Sequence, residues 1–91
     1  MNRKVNISVF GRVQSVFFRG RAHKKARSLN LTGWVKNENS GEVKILAEGE
    51  GKNLIELINW ASSGPTLARV DKVEVEWEEE KKEFKDFVIK Y

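Results

Sequence analysis

Gly11-Arg12-Val13-Gln14-Ser15-Val16-Phe17-Phe18-Arg19 separates a run with the period of a strand from a run with the period of a helix. Upstream, Val5, Ile7 and Val9 alternate with Asn6, Ser8 and Phe10, as in a half-buried strand, and Gly11 ends the pattern. Downstream, Ala22, Ala26 and Leu29 recur at helical spacing while Arg21, Lys24, Lys25 and Arg27 fall off that stripe, which predicts an amphipathic helix over about residues 19–30. Phe18 is expected to anchor the helix start in the core. Its neighbour Arg19 then points back at the loop, since consecutive helical residues lie roughly 100° apart. A turn that feeds a helix start is a candidate anion cradle, because the first N–H groups of a helix have no intrahelical partner and the helix dipole is positive there. A guanidinium at that point can grip two phosphate oxygens at once.

Gly11, Val13, Gln14, Val16, Phe18 and Arg19 fit the pattern Gly-x-Val-Gln-Gly-Val-x-Phe-Arg, departing from it only at Ser15. Further on, Gly33-Trp34-Val35-Lys36-Asn37, then Gly41, Val43 and Gly49, fit Gly-aromatic-Val-x-Asn-x3-Gly-x-Val-x5-Gly without a departure. With these two signatures the chain resembles the acylphosphatase family over essentially its whole length. The resemblance implies hydrolysis of the carboxyl-phosphate bond of acyl phosphates to carboxylate and inorganic phosphate. Acetyl phosphate, carbamoyl phosphate and bisphosphoglycerate are the candidate substrates it suggests. It also implies that Arg19 binds the phosphoryl group together with the loop Gln14, Ser15, Val16, Phe17, Phe18 and Arg19, and that Asn37 orients the attacking water. An asparagine suits that task, since its oxygen can accept from water while its NH₂ donates to a phosphate oxygen. It cannot act as a base, so the expected mechanism relies on positioning and charge stabilisation, with no cofactor and no metal.

Ser15 stands where the signature has glycine. If the loop needs positive φ there, a residue with a Cβ costs roughly 1–2 kcal/mol and can tilt a neighbouring amide.

Thr32-Gly33 reopens the chain into a strand ending at Asn37, and Val43 to Glu48 is its partner across a five-residue hairpin connection, Glu38 to Glu42. Leu54, Ile55, Ile58 and Ala61 mark a second helix that ends near Ser62-Ser63-Gly64-Pro65, with Leu57 and Trp60, three apart, extending or flanking its apolar face as packing residues. Val73, Val75 and Trp77 alternate with Glu74, Glu76 and Glu78 in a fourth strand. The run Glu79 to Glu83 reads as a solvated turn, and Phe87, Ile89 and Tyr91 alternate in a short fifth strand. The expected fold is α+β: a two-layer, ferredoxin-like βαββαβ sandwich with an antiparallel-rich sheet, the extra strand, and both helices on one face.

Ninety-one residues allow one compact domain, residues 1–91, and the absence of cysteine rules out disulfides, a thiolate nucleophile and Cys-based zinc. No apolar run near the start reads as a signal peptide or membrane span, so a cytoplasmic protein with no membrane partner is the default, and a domain this small is expected to act as a monomer. Asn6-Ile7-Ser8 and Asn30-Leu31-Thr32 read as chance glycosylation triplets. The 33% charged fraction fits a heat-adapted surface and a small domain equally well.

Residues 1–36 hold nine Lys/Arg and no Asp/Glu, whereas residues 37–91 hold eight and thirteen. The half that carries the cradle is electropositive, which would draw in an anionic substrate or simply solvate a helix face. Three function classes compete: the hydrolase, a binding module that holds the phosphate without turnover, and a nucleic-acid binder. The last needs exposed aromatics on central strands, and Val43 to Glu48 has none. His23, four residues after Arg19, reads as an ordinary surface histidine, and the acids around Glu78-Glu79-Glu80 read as solvation, so neither is assigned a proton-transfer or metal role.

Overall fold

The computed structural model describes residues 1–91. The chain runs β1 (Asn2–Arg12), α1 (Phe18–Ser28), β2 (Thr32–Asn37), β3 (Val43–Glu50), α2 (Gly51–Ser63), β4 (Arg69–Glu79) and β5 (Phe87–Lys90). The five strands form one sheet in the order β4-β1-β3-β2-β5. Every pairing is antiparallel except that of β2 with β5. This is the expected ferredoxin-like sandwich, with α1 packed toward β2 and β5 and α2 toward β1 and β4.

Strand β1 is longer at both ends than its apolar alternation, because β3 and β4 pair with it on either side and satisfy its backbone. The β1–β4 register shifts between Phe10 and Gly11. Gly11 has a φ of 130°, and a Cβ there would overlap the Arg69 carbonyl oxygen, so this bulge depends on glycine. Past the bulge Gly11 and Arg12 stay paired with Val70 and Arg69, and the loop to α1 begins directly after them.

Val5, Ile7, Val9, Val35, Val43, Ile45 and Ala47 line the covered face of the sheet and meet Phe18, Ala22 and Ala26 of α1 and Leu54, Leu57 and Ala61 of α2 in one core. Phe18 therefore anchors α1 as its spacing predicts. Ile55 does not join its helix's apolar stripe: it is 52% exposed, and Leu57 is buried instead. The stripe through residues 54, 57 and 61 follows the i, i+3, i+7 rule, and residue 55 is turned about 130° from its centre.

Helix α1 ends at Ser28, earlier than its pattern suggests. Asn30 is left-handed (φ 57°), the Leu31 N–H donates to the Ala26 carbonyl (3.0 Å) and the Asn30 N–H to the Arg27 carbonyl (3.1 Å). These are the paired bonds of a Schellman stop, with asparagine replacing the usual glycine.

The reading of Glu79 to Glu83 as a merely solvated turn needs correcting. Glu79 is the last residue of β4, and the following backbone wraps a buried carboxyl group. Glu48, on β3, is 2% exposed, and its oxygens accept from the N–H groups of Lys81 (2.6 Å), Lys82 (3.1 Å) and Glu83 (3.2 Å). Beside it Lys4, 7% exposed, donates to Glu83 at 2.6 Å. A hydrophilic run in sequence is thus a clasp in structure, fixing the segment that leads into β5. No helix is long and apolar enough to cross a membrane.

Candidate active site

The loop between β1 and α1 runs along the wall of a pocket, with Ser15 and Phe17 among the residues that line it. Ser15 (φ 60°) and Phe17 (φ 64°) are left-handed on either side of Val16. Such alternation of backbone hand turns successive N–H groups toward one side, as in an anion-binding nest. Phe17 occupies the N-cap of α1 and offers no side-chain cap, and the first turn holds no acidic residue. The first bond into the helix is donated by the Arg21 N–H to the Phe17 carbonyl (3.1 Å), so the N–H groups of Phe18, Arg19 and Gly20 precede it. Donors and dipole both favour an anion at this point.

A pocket of about 300 Å³ opens over these amides, lined by Ser15, Phe17, Phe18, Arg19, Gly20 and Asn37, with Val13, Ile89 and Tyr91 completing the wall. The two functional side chains expected from the sequence, Arg19 and Asn37, therefore meet in one cavity although they come from different layers. Arg19 is held from the β5 side: its Nη1 donates to the Lys90 carbonyl (3.2 Å), and its guanidinium carbon lies 4.9 Å from the centre of the Tyr91 ring. It pairs with no carboxylate, unlike Lys25 and Arg27 of the same helix, which meet Glu56 (3.2 Å) and Asp86 (3.8 Å). Asn37 ends β2, and its Oδ1 is buried yet accepts no hydrogen bond from the protein. A buried acceptor without a donor is costly, and this one belongs to a residue that lines the pocket.

Not every residue of the expected loop set faces the cavity. Gln14 and Val16 do not line it. Val16 is buried in the core, and the Gln14 side chain donates through Nε2 to the carbonyls of Glu38 (2.7 Å) and Glu42 (3.1 Å). Gln14 thereby ties the anion loop to the hairpin that follows Asn37, setting the distance between the two halves of the site. His23 lies against the Phe87 ring (6.2 Å between centres) and is not part of the wall. Sequence reasoning missed Ile89 and Tyr91 as lining residues. Their alternation marked a strand, but nothing local said that β5 would pair in parallel beside β2 and close the cavity.

Fold and pocket together define the class: a two-layer α+β domain in which a strand-to-helix turn, an arginine and an asparagine line one pocket. A model of the acylphosphatase family matches residues 5–89. An acylphosphatase of Thermococcus kodakarensis is 45% identical over 76 residues, 84% of this chain and 84% of the relative. One from Methylococcus capsulatus is 40% identical over 87 residues, 96% of this chain and 95% of the relative. The crystal structure of an acylphosphatase from Bacillus subtilis superposes with a TM-score of 0.94 at 34% identity over 100% of both chains. The chain belongs to the acylphosphatase family. It is an enzyme of that family, and its activity is the hydrolysis of acyl phosphates.

Proposed function

We propose that hydrolysis runs without a metal ion through Arg19, Asn37 and the loop amides from Ser15 to Arg19, on a small-molecule acyl phosphate and with the protein acting as a monomer. The amides and the Arg19 guanidinium hold the phosphoryl oxygens, the guanidinium through its planar fork of donors. Asn37 Oδ1 accepts a hydrogen bond from the water that attacks phosphorus. The bond from phosphorus to the bridging oxygen breaks, the carboxylate leaves with that electron pair, and the water's proton passes to a phosphate oxygen. Catalysis is then positioning plus stabilisation of charge on the phosphoryl oxygens.

The single observation that supports this most is the buried, unpartnered Asn37 Oδ1 in the same pocket as an arginine that pairs with no carboxylate. The test is hydrolysis of benzoyl phosphate in the presence of EDTA by the parent, Arg19→Ala and Asn37→Ala. Parent turnover unaffected by chelator, with each variant down by about 10²-fold or more, is the expected result, that being the loss typical when one charge-stabilising donor is removed. Full activity in Asn37→Ala would remove the asparagine from the mechanism, and loss of parent activity with EDTA would remove the metal-free reading.

A further inference from the structure

Phe17 carries a large ring on a strained backbone and leaves it 75% exposed. A left-handed φ is uncommon for a bulky residue, and such outliers gather where a site demands them. The ring contributes to the pocket that holds Arg19 and Asn37, and also to a second recess of about 170 Å³ next to it, lined by Val16, Arg21, Trp60, Pro65 and Leu67. Leu67, just before β4, is 65% exposed and shares this recess with the apolar Val16, Trp60 and Pro65 and with the polar Arg21 and Thr66. Trp60 is held in place from behind by the Phe18 ring, 5.2 Å away between centres. A lone exposed apolar side chain is ordinary, but two that share a concave surface beside a reactive site mark a place where apolar matter binds.

We infer that this recess is the acyl-group subsite: with the phosphoryl group over the α1 amides, as the proposed mechanism requires, the substrate's acyl part crosses Phe17 and packs between Trp60, Pro65 and Leu67. The ligand class is acyl phosphates with a large apolar or aromatic acyl group. Size supports this, since a cavity of roughly 150 Å³ lined by Leu, Ile and Phe holds a benzene ring. Chemistry supports it too, because two aromatic side chains, Trp60 and Phe17, line the recess, and aromatic rings favour contact with one another. Arg21 has no carboxylate partner and lines the same recess, so a carbonyl oxygen or a ring face finds a cation there.

The test compares binding of two non-hydrolysable phosphonates in which CH₂ replaces the bridging oxygen, phenacylphosphonate and acetonylphosphonate, by calorimetry, while the Trp60 indole N–H is followed by NMR. The parent is expected to bind the phenacyl compound about tenfold more tightly and to shift the Trp60 signal with that compound alone. Leu67→Ala, at an exposed position that leaves the core intact, is expected to weaken phenacyl binding about fivefold and acetonyl binding less than twofold, in line with the loss of apolar contact in a half-open pocket. Equal affinity for the two compounds, an unmoved Trp60 signal, or a phenacyl preference unchanged in Leu67→Ala would overturn the subsite. Arg19→Ala separates this from the phosphoryl assignment: unchanged affinity for both compounds there would overturn the assignment of the phosphoryl group to Arg19, whatever the preference between acyl groups.

Discussion

Replacing Ser15 by glycine should make the protein more stable without disabling it. Ser15 sits at φ 60°, where its Cβ crowds the following carbonyl. That conformation costs a residue with a side chain about 1–2 kcal/mol. Glycine removes the cost but gives the unfolded chain more freedom, which takes back about 0.4–1 kcal/mol. The net gain is about 0.5–1 kcal/mol. Because the side chain is exposed, its removal opens no cavity. For a domain of this size, 1 kcal/mol shifts the melting temperature by roughly 4–8 °C, so a rise of about 4 °C is expected. Thermal and urea melts by far-ultraviolet circular dichroism measure it, with kcat and KM for benzoyl phosphate taken in parallel and Ser15→Ala as the control that deletes the hydroxyl while keeping the Cβ. Activity in Ser15→Gly should stay level or increase. A glycine variant no more stable than the parent would refute the strain argument. A tenfold loss of activity shared by the glycine and alanine variants would show that the hydroxyl itself holds the phosphate.

Arg19→Lys keeps the charge but loses the planar fork, and its shorter donor set cannot hold both the Lys90 carbonyl and a phosphoryl group, so kcat/KM should fall by about 10²-fold, measured with benzoyl phosphate at saturating and limiting concentration. Glu48→Gln turns an NH₂ toward at least one of the N–H groups of Lys81, Lys82 and Glu83, and should destabilise the fold by about 1.5 kcal/mol in urea melts. The hydrogen bond with Glu83 raises the Lys4 pKa above its ordinary 10.5, burial working against it, and the same bond lowers the Glu83 pKa below its ordinary 4.5. Glu83's contribution is therefore complete above pH 4.5 and lost as pH falls through its lowered value, while that of Lys4 is complete below pH 10.5 and lost as pH rises through its raised one. Melting temperature against pH should show a plateau between these flanks, and Glu83→Gln should flatten both.

What the sequence made legible was local. Alternation gave the strands, a 3.6-residue stripe gave α1, and Gly33 marked the opening of β2, where a Cβ would overlap the Leu46 carbonyl of the adjacent strand. The signature residues pointed to Arg19 and Asn37, and the pocket contains both. Glu48 gave no such signal. In a charge-rich chain a glutamate followed by Gly49 looks like any solvent-facing residue, and only the return of the backbone 33 to 35 positions later makes it a buried acceptor. Gln14 was read for its amide, whereas its side chain is what bridges to the hairpin, 24 and 28 positions away. Contacts that distant leave no mark on periodicity, because they follow from topology and not from the local conformation of either partner.

The same distant contacts explain how a site assembled from a loop, a hairpin and a terminal strand can be held in register. The segments that carry the proposed site residues are tied down by residues outside it. The Glu48 clasp sets the path into β5, whose Lys90 carbonyl holds Arg19, while Gln14 locks the amide loop to the turn after Asn37. Left-handed residues in the loop raise the energy of the unsupported conformation, so the loop keeps its shape only because the bulge at Gly11, the Gln14 bridge and the Phe18 anchor over-determine it. A site held in that way meets its anion with the donors already aimed, and little ordering remains to be done on binding. On the mechanism proposed above, that is the condition under which one arginine, one asparagine and a few amides suffice for a reaction whose leaving group is already good.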